Sequence, residues 1–535
     1  MKNQKVFIYD TTLRDGSQGE GISFTVKDKF RIAQKLDELG VDYIEGGWPG
    51  SNPKDDEFFR EAAKSLKLKK SKLFAFGSTR RASSPVASDP VMKGLLKAKT
   101  KYVTIFGKSW DLHVKAVLKA PLAENLKMIE SSVKYLTKKG RHVFFDAEHF
   151  FDGYKDNPEY AIESLKAAAA GGAKALILCD TNGGTLTSQI FEIVEDVSEV
   201  LKTPLGIHVH NDAEMAVANS VAAVQAGCNQ VQGTFNGYGE RCGNANLVSI
   251  LPTLKFKLGM DCLAKFEFKD LTEASRYIAE IANVKQQDSQ AYVGKSAFAH
   301  KAGVHVNAIL KNSRTYEHID PKKVGNKRRM LISELSGKSS IIEKAGELGI
   351  NIKKGSGRAK DILSHVQDLE KEGFQFELAE ASLLLLMNRA SATFNEHFGL
   401  KDFRVIVEKR GDGPIVSEAT VKMKIGNRLR HTVSLGDGPV HAMDQALRKS
   451  LIEFYPSLNE MHLSDFRVRV LDEKAGTAAK VRVLIQSQDE TDSWWTVGVS
   501  ENIIEASWLA LKDSIEYKFT KDDKNKKKTK KKKKK

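Results

Sequence analysis

The sequence predicts an α/β chain: a (β/α)8 TIM barrel first, helical linker subdomains next, and last an α+β module of two βββα units. Three patterns carry that expectation. Strand-like apolar runs recur roughly every 30 residues over the first 240 positions. Amphipathic helical stretches lie between them, which is the signature of parallel βα units. Beyond residue 400 the apolar period changes to two, as in antiparallel sheets with one face covered.

The eight barrel strands are read at Val6–Tyr9, Tyr43–Ile44, Leu73–Phe76, Tyr102–Phe106, Val143–Phe145, Ala175–Cys179, Leu205–Ile207 and Gln230–Phe235. Intervening helices include Lys27–Leu39, Leu122–Lys138, Tyr160–Ala170 and Ala213–Ala226. Eight βα units close into a barrel of about 250 residues, whose active site lies at the C-terminal strand ends. Polar residues gather at those ends: Arg14 and Asp15, Glu45, Ser78, Lys108, Glu148, Asp180 and Thr181, His208 and His210, then Asn236. Residues 1–268 are therefore assigned to the catalytic barrel. Residues 269–396 read as helical linkers, with helices at Leu271–Asn283, Ser339–Leu348, Ala359–Glu372 and Glu377–Phe394. Residues 400–518 hold strands at Phe403–Glu408, Ala419–Ile425 and Leu429–Leu435, and again at Phe466–Val470, Ala479–Gln486 and Trp494–Ser500. A helix follows each set, Val440–Phe454 and Ile503–Tyr517, so the module reads as an internal repeat. Residues 519–535 are expected to be a disordered, lysine-rich tail.

Two short segments carry chemistry, Asp10-Thr-Thr-Leu-Arg-Asp-Gly16 and His208-Val-His-Asn-Asp212. Strand alternation sends His208 and His210 to one side and Val209 to the other. Two imidazoles beside a strand-end carboxylate, Asp15, are ligand types suited to a divalent cation.

Composition narrows the remaining choices. A chain of 535 residues exceeds one core. With 41% hydrophobic and 28% charged residues and no apolar run long enough to span a bilayer, a membrane role is not expected. Four cysteines without a C-x-x-C pair suit a reducing compartment, and no secretory-type apolar segment opens the chain, so a cytoplasmic location is expected. The net charge of +16 is uneven: residues 521–535 carry eleven Lys and two Asp, leaving +7 for the first 520. Such a block could attract polyanions non-specifically, and no specific nucleic-acid partner is expected.

The segments D-T-T-L-R-D-G-S-Q (10–18), F-D-A-E-H-F (145–150), L-C-D-T-N-G-G (178–184), H-V-H-N-D (208–212) and N-G-Y-G-E-R-C-G-N-A (236–245) resemble the α-isopropylmalate, homocitrate and citramalate synthase family of metal-dependent barrel acyltransferases. The likeness continues in A-F-A-H-K-A-G-V-H (297–305), T-Y-E-H-I-D-P (315–321) and S-E-L-S-G (333–337). It implies a divalent metal (Mn²⁺, Mg²⁺ or Zn²⁺) held by Asp15, His208, His210 and Asn244. It also implies acetyl-CoA as co-substrate, and condensation of its methyl carbon with the carbonyl of a 2-oxo acid, followed by thioester hydrolysis. Arg14 would stabilise the developing negative oxygen, and Thr181 would hold the oxo acid's carboxylate. Glu148, His305 and Tyr316 would serve the acid–base chemistry, with the base left open among them. The resemblance implies a homodimer, with the subdomain carrying His305 reaching over the partner's barrel, and a C-terminal domain that binds the end-product amino acid.

Within the family, Gly46-Gly-Trp-Pro-Gly-Ser-Asn-Pro53, Phe76-Gly-Ser-Thr-Arg-Arg81 and Gly107-Lys-Ser-Trp-Asp-Leu-His113 resemble the citramalate branch. That branch takes pyruvate and feeds isoleucine biosynthesis, so isoleucine is the expected effector; 2-isopropylmalate or homocitrate synthesis is the alternative. A bulky Trp48 near the pocket favours a small acceptor. Asp146 stands where some citramalate synthases carry an aromatic residue. Two other classes share some of these features. A lyase of the same superfamily would share the metal site but have no need of residues 400–518. A nucleic-acid binder would rest on the lysine tail alone.

Overall fold

In the computed structural model, residues 4–532 are described except for 83, 264–267, 354 and 391–393. The chain forms two compact units, Met1–Phe298 with Ile319–Lys327, and Ala299–His318 with Arg328–Lys535.

The first unit is the expected barrel. Strands β1 (Phe7–Asp10), β2 (Tyr43–Glu45), β3 (Lys72–Ser78), β4 (Tyr102–Lys108), β5 (His142–Glu148), β6 (Ala175–Asp180), β7 (Leu205–Val209) and β8 (Gln230–Gly233) close in sequence order, with parallel pairing throughout. Alternation divides their side chains between two cores. Ile8, Val103, Ile105, Ile207 and Val231 pack outward against the helices, while Tyr9, Phe74, Phe144, Ile177 and Cys179 fill the interior. The interior rings meet edge-on or tilted, Tyr9 and Phe74 at 5.0 Å and Phe74 and Phe144 at 4.8 Å. The barrel is therefore plugged below its mouth. Helices begin where caps allow: Thr25 and Asp28 form a reciprocal capping box at the start of Val26–Leu39, and Gly40 ends it at φ +81°.

Two boundaries differ from expectation. Strand β8 ends at Gly233, and Phe235 lies in a short 3-10 turn. The helix expected at Ala213–Ala226 runs from Ala216 to Gln225, because the preceding residues form a turn with Glu214 at φ +57°. The domain division expected at residue 268 also moves. Helix Leu271–Ile281 buries Leu271, Ala274 and Ile278 in the barrel's outer core, and Thr272 Oγ1 donates to the Val324 carbonyl, which ties both segments to the first unit.

The second unit contains a small parallel pair, β9 (Ala299–His300) and β10 (Arg329–Met330), and helices Gly303–Lys311, Lys338–Glu347, Arg358–Glu372 and Glu380–Arg389. The last is shorter than the expected Glu377–Phe394, part of which lies outside the described residues. Two antiparallel sheets follow, β11 (Gly399–Lys409), β12 (Ile415–Ile425) and β13 (Arg428–Gly436), then β14 (His462–Val470), β15 (Val481–Gln488) and β16 (Ser493–Ser500). Helices Pro439–Leu451 and Ile503–Lys532 complete the two βββα units. The first strand of each unit carries a register shift at an equivalent place, Leu400/Asp402 and Leu463/Asp465, which supports the internal repeat. Val433, Leu435, Val468 and Val470 stay exposed on these sheets.

The lysine-rich tail departs from expectation. Residues 519–532 continue the helix that begins at Ile503 instead of forming a disordered segment. Lysine is a good helix former, and extending a formed helix costs far less than starting one. The helix is also pinned: Lys518 pairs with Glu460, Asp489 and Asp522, and Lys521 with Asp489 and Asp492. Residues 533–535 lie outside the described part. Among the described residues, no helix is long and apolar enough to cross a membrane.

Candidate active site

The site is assembled where strand ends meet. After β1, the Asp10 carboxylate accepts hydrogen bonds from Thr12 N (2.9 Å) and Thr12 Oγ1 (3.0 Å), and the Thr11 carbonyl accepts from Arg14 N and Gly16 N, each at 3.1 Å. This turn presents Arg14 and Asp15 at the barrel mouth. On β7, His208 and His210 share the inner side while Val209 packs outward, as alternation requires. His208 Nε2 lies 3.2 Å from Asp15 Oδ2 and 3.4 Å from His210 Nε2. One ligand atom from each of Asp15, His208 and His210 falls within 4.8 Å of the others.

Asn244 joins this trio through backbone pairing: Ala245 N donates to the Val209 carbonyl and Asn211 N to the Gly243 carbonyl. Its Nδ2 is 2.9 Å from Asp15 Oδ2 and 3.4 Å from His208 Nε2, while its buried Oδ1 has no hydrogen-bond partner. A Cβ at position 239 would sit 1.9 Å from that Oδ1, so only glycine permits this approach. The two amide atoms exchange places by a half-turn of the side chain, which aims the oxygen at the carboxylate and imidazoles.

These four residues suit a divalent cation. The set offers two imidazoles, a carboxylate and an amide oxygen, and buried His210 Nδ1 and Asn244 Oδ1 lack partners among protein groups. Burial alone would raise the Asp15 pKa, but Arg14 and His208 outweigh it and hold the carboxyl well below the usual range. Burial and neighbouring His208 push His210 down to about 4. Burial opposes charging His208, yet Asp15 overcomes this and draws its pKa upward, so the cluster attracts positive charge. On its far side, the His208 Nδ1–H lies 2.9 Å from Gln232 Oε1, and Gln232 Nε2 donates to Asp146 Oδ1 at 3.2 Å. That chain fixes which imidazole nitrogen faces the cluster.

Arg14 is held on three sides. Its Nε donates to Glu45 Oε1 at 2.6 Å, its Nη1 lies 3.0 Å from Asp15 Oδ1, and its guanidinium stands 3.8 Å over the Phe76 ring. Glu45 is fully buried and also accepts from the Tyr9 hydroxyl at 2.7 Å. Arg14, Asp15, His208, His210, Glu148 and Thr181 line one cavity of about 230 Å³. Trp48, Phe76 and Phe106 wall it, with ring centroids 5.4 to 5.7 Å apart. The backbone N–H of Trp48 donates to Asp55 Oδ2 (2.8 Å), and Asp55 forms a buried pair with Lys29. Glu148 pairs with Lys108, its neighbour in the β4–β5 register. Thr181 Oγ1 accepts from His149 N at 2.9 Å. Cys179 lines the cavity too, but burial drives its thiol pKa far up, in keeping with a packing role.

His305 and Tyr316 belong to the second unit, where their rings stack at 4.1 Å. Beside them in the chain, Glu317 pairs with Arg328 and lies 3.4 Å from His300. Three strand-end residues have structural duties instead: Asp180 is capped by Thr185, Ser78 bonds the Thr79 carbonyl, and Asn236 bonds Ser275. Sequence reasoning left Gln232 unnoticed and placed Glu45 only among the polar strand-end residues. Their clue was polarity on inward positions of strands, but their partners come from other strands.

Comparison with known proteins agrees with this geometry. Residues 5–278 match the HMGL-like family model, 292–373 the homocitrate synthase post-HMGL domain-like model, and 377–519 the LeuA allosteric (dimerisation) domain. An (R)-citramalate synthase of Aquifex aeolicus is 55% identical over 97% of this chain and 99% of its own. The chain belongs to the citramalate synthase family. A second family member, the (R)-citramalate synthase of Geobacter sulfurreducens, is 53% identical over 97% of this chain and 98% of its own. The 2-isopropylmalate synthase of Methanocaldococcus jannaschii spans as much of the chain, 97%, at only 30% identity.

Proposed function

We propose that the chain condenses acetyl-CoA with pyruvate and hydrolyses the thioester, releasing (R)-citramalate and coenzyme A. The observation that carries this reading is the small aromatic-walled cavity opening on Asp15, His208 and His210, in a chain about half identical to citramalate synthases along nearly its whole length. A 2-isopropylmalate synthase must seat a branched acceptor, against which Trp48, Phe76 and Phe106 stand. The C-terminal module, matched by the LeuA dimerisation domain, also sets the chain apart from a simple lyase.

In the reaction, a methyl proton leaves acetyl-CoA, the carbanionic carbon bonds to C2 of pyruvate, and the keto oxygen gains the proton. Water then cleaves the thioester and frees the thiol. Asp15, His208, His210 and Asn244 would hold a divalent ion, which would supply Lewis acidity for the acceptor carbonyl. Arg14, already oriented by Glu45 and Phe76, donates hydrogen bonds to that oxygen as charge accumulates. Thr181 binds the pyruvate carboxylate. Glu148 moves protons at the cavity, and His305 with Tyr316 serves the acetyl-CoA side.

The molecule works as a dimer whose C-terminal sheets supply the contact, in keeping with the apolar residues they leave exposed. Isoleucine is the proposed effector of that module, and the cytoplasm the proposed location. The deciding experiment is coenzyme A release with acetyl-CoA and a panel of 2-oxo acids, with Mn²⁺, Mg²⁺ or Zn²⁺ in turn. Pyruvate should be turned over best and isoleucine should inhibit. Preference for 2-oxoisovalerate with inhibition by leucine would assign 2-isopropylmalate synthesis instead.

A further inference from the structure

Two segments marked by the sequence analysis, Gly107–His113 after β4 and Phe145–Phe150 at β5, lock into one another. The register sets Lys108 opposite Glu148, and Ser109 N donates to the Glu148 carbonyl at 3.2 Å. Trp110 Nε1 donates to Asp156 at 2.7 Å, and the rings of Trp110, His113 and His149 cluster together, His113 lying 5.3 Å from Trp110 and 4.2 Å from His149. A Cβ at Gly153, in the helix Phe150–Asp156 that follows β5, would fall 2.5 Å from the Ser109 carbonyl, so this helix and the segment after β4 touch through backbone. At the centre of this clasp, Lys108 Nζ pairs with Glu148 Oε2. Lys108 is mostly buried, its ammonium lies 5.6 Å from the Phe106 ring centroid, and its carbonyl accepts from Asn125 Nδ2 at 2.8 Å.

We infer that Lys108 is a positioning residue for Glu148: it holds one carboxylate oxygen and leaves the other oxygen to exchange protons at the cavity. The inference rests on the reading of Glu148 as a proton-transfer group. A carboxylate gripped at one oxygen keeps its direction. Titratable groups near Glu148 include Asp146, His149, His113 and Cys179, and the cavity it lines also holds Arg14, Glu240 and Arg241, the last paired with Asp212. Arg14 is committed to Glu45 and Asp15, and His113 has its pKa lowered by burial and by His149. Lys108 is thus the cation given to Glu148. A solely structural ion pair would sit away from the cavity; here one partner lines it.

The test compares Lys108→Gln, Lys108→Arg, Glu148→Gln and the double variant Lys108→Gln/Glu148→Gln in the full-length enzyme with metal bound. Lys108→Gln should lower kcat by about 10- to 100-fold, within the span general acid–base catalysis supplies, with pyruvate KM, metal content and thermal midpoint close to wild type. Lys108→Arg, which keeps the charge, should recover a large part of the rate. Adding Lys108→Gln to Glu148→Gln should cost no more than Glu148→Gln alone. Multiplying effects in the double variant, or an unimpaired Lys108→Gln beside a disabled Glu148→Gln, would overturn the inference while leaving the role of Glu148 intact. Full activity of Glu148→Gln would remove that role, and the inference with it. A loss of rate matched by a loss of folded protein would assign Lys108 to stability alone.

Discussion

Replacing Gln232 by Leu should weaken metal binding by about 10- to 100-fold without emptying the site of its ligands. Gln232 is fully buried on β8 and hydrogen-bonds His208, accepting from Nδ1 at 2.9 Å while donating to Asp146 at 3.2 Å. Leu has a similar volume, so packing in the barrel interior is kept and no large cavity opens. What is lost is the acceptor that fixes the His208 tautomer and ring direction. Leaving a buried donor unpaired costs about 1–3 kcal/mol. At 1.4 kcal/mol per factor of ten, that agrees with the 10- to 100-fold losses usual when the outer partner of a ligand histidine is removed. The assay is competition with a calibrated chelator on the folded protein, read alongside circular dichroism. Gln232→Glu retains an acceptor for Nδ1 and serves as the control. Metal affinity unchanged within about twofold in Gln232→Leu, at the precision such a 1–3 kcal/mol effect demands, would refute the idea that this chain of hydrogen bonds prepares His208 for the cation.

Trp48→Ala should raise the ratio of kcat/KM for 2-oxoisovalerate over pyruvate by about 10-fold or more, since a few methyl groups in an apolar pocket are worth about 1–3 kcal/mol; an unchanged ratio would free the aromatic wall from any part in selection. His305→Ala should depress turnover while metal content, measured by atomic emission, stays that of wild type, because His305 belongs to the other compact unit from the ligand set. His397 pairs with Glu516 at 2.7 Å and Asp523 at 3.2 Å, and although burial disfavours its charge, these partners raise its pKa above the ordinary value. A histidine raised in the folded state adds stability that is fully present below its unfolded pKa of about 6.5 and is lost as pH rises through the folded value. The gap in thermal midpoint between wild type and His397→Gln should therefore be widest in mildly acidic buffer and shrink in alkaline buffer; a gap independent of pH would leave only ring packing against Tyr455 and Phe519. Deleting residues 527–535 should leave turnover unchanged and reduce salt-sensitive retention on a polyanion resin; a fall in turnover would give the lysine-rich end a part in the enzyme itself.

Local rules made much of this protein legible from its residues. The barrel follows from a repeated switch between a run that buries alternate residues and a helix that buries one stripe. That period survives without knowledge of any contact. His208 and His210 were identifiable because two residues on one strand share a side by covalent geometry, and Asp15 because a polar turn after β1 leads into the same mouth. Asn244 was nameable only through resemblance, since an asparagine after a glycine-rich turn looks the same whether or not its oxygen lacks a partner. Helix length at the C-terminus was misjudged because charge density argues for a solvated coil, whereas Lys518 and Lys521 find carboxylates on other segments and the helix simply continues. Other features depended on closure of the barrel. Glu45 reaching Arg14, Gln232 reaching His208, Lys108 reaching Glu148 and the ring contacts of Trp48 with Phe76 and Phe106 each join different strands. Which strand-end side chains meet is a matter of strand order and register, set by the packing of the whole sheet. Sequence therefore determined the kinds of candidate ligand and their side of the strand, and tertiary structure decided which groups orient them, because hydrogen bonds of 2.6 to 3.2 Å between distant residues exist only after the chain has closed on itself.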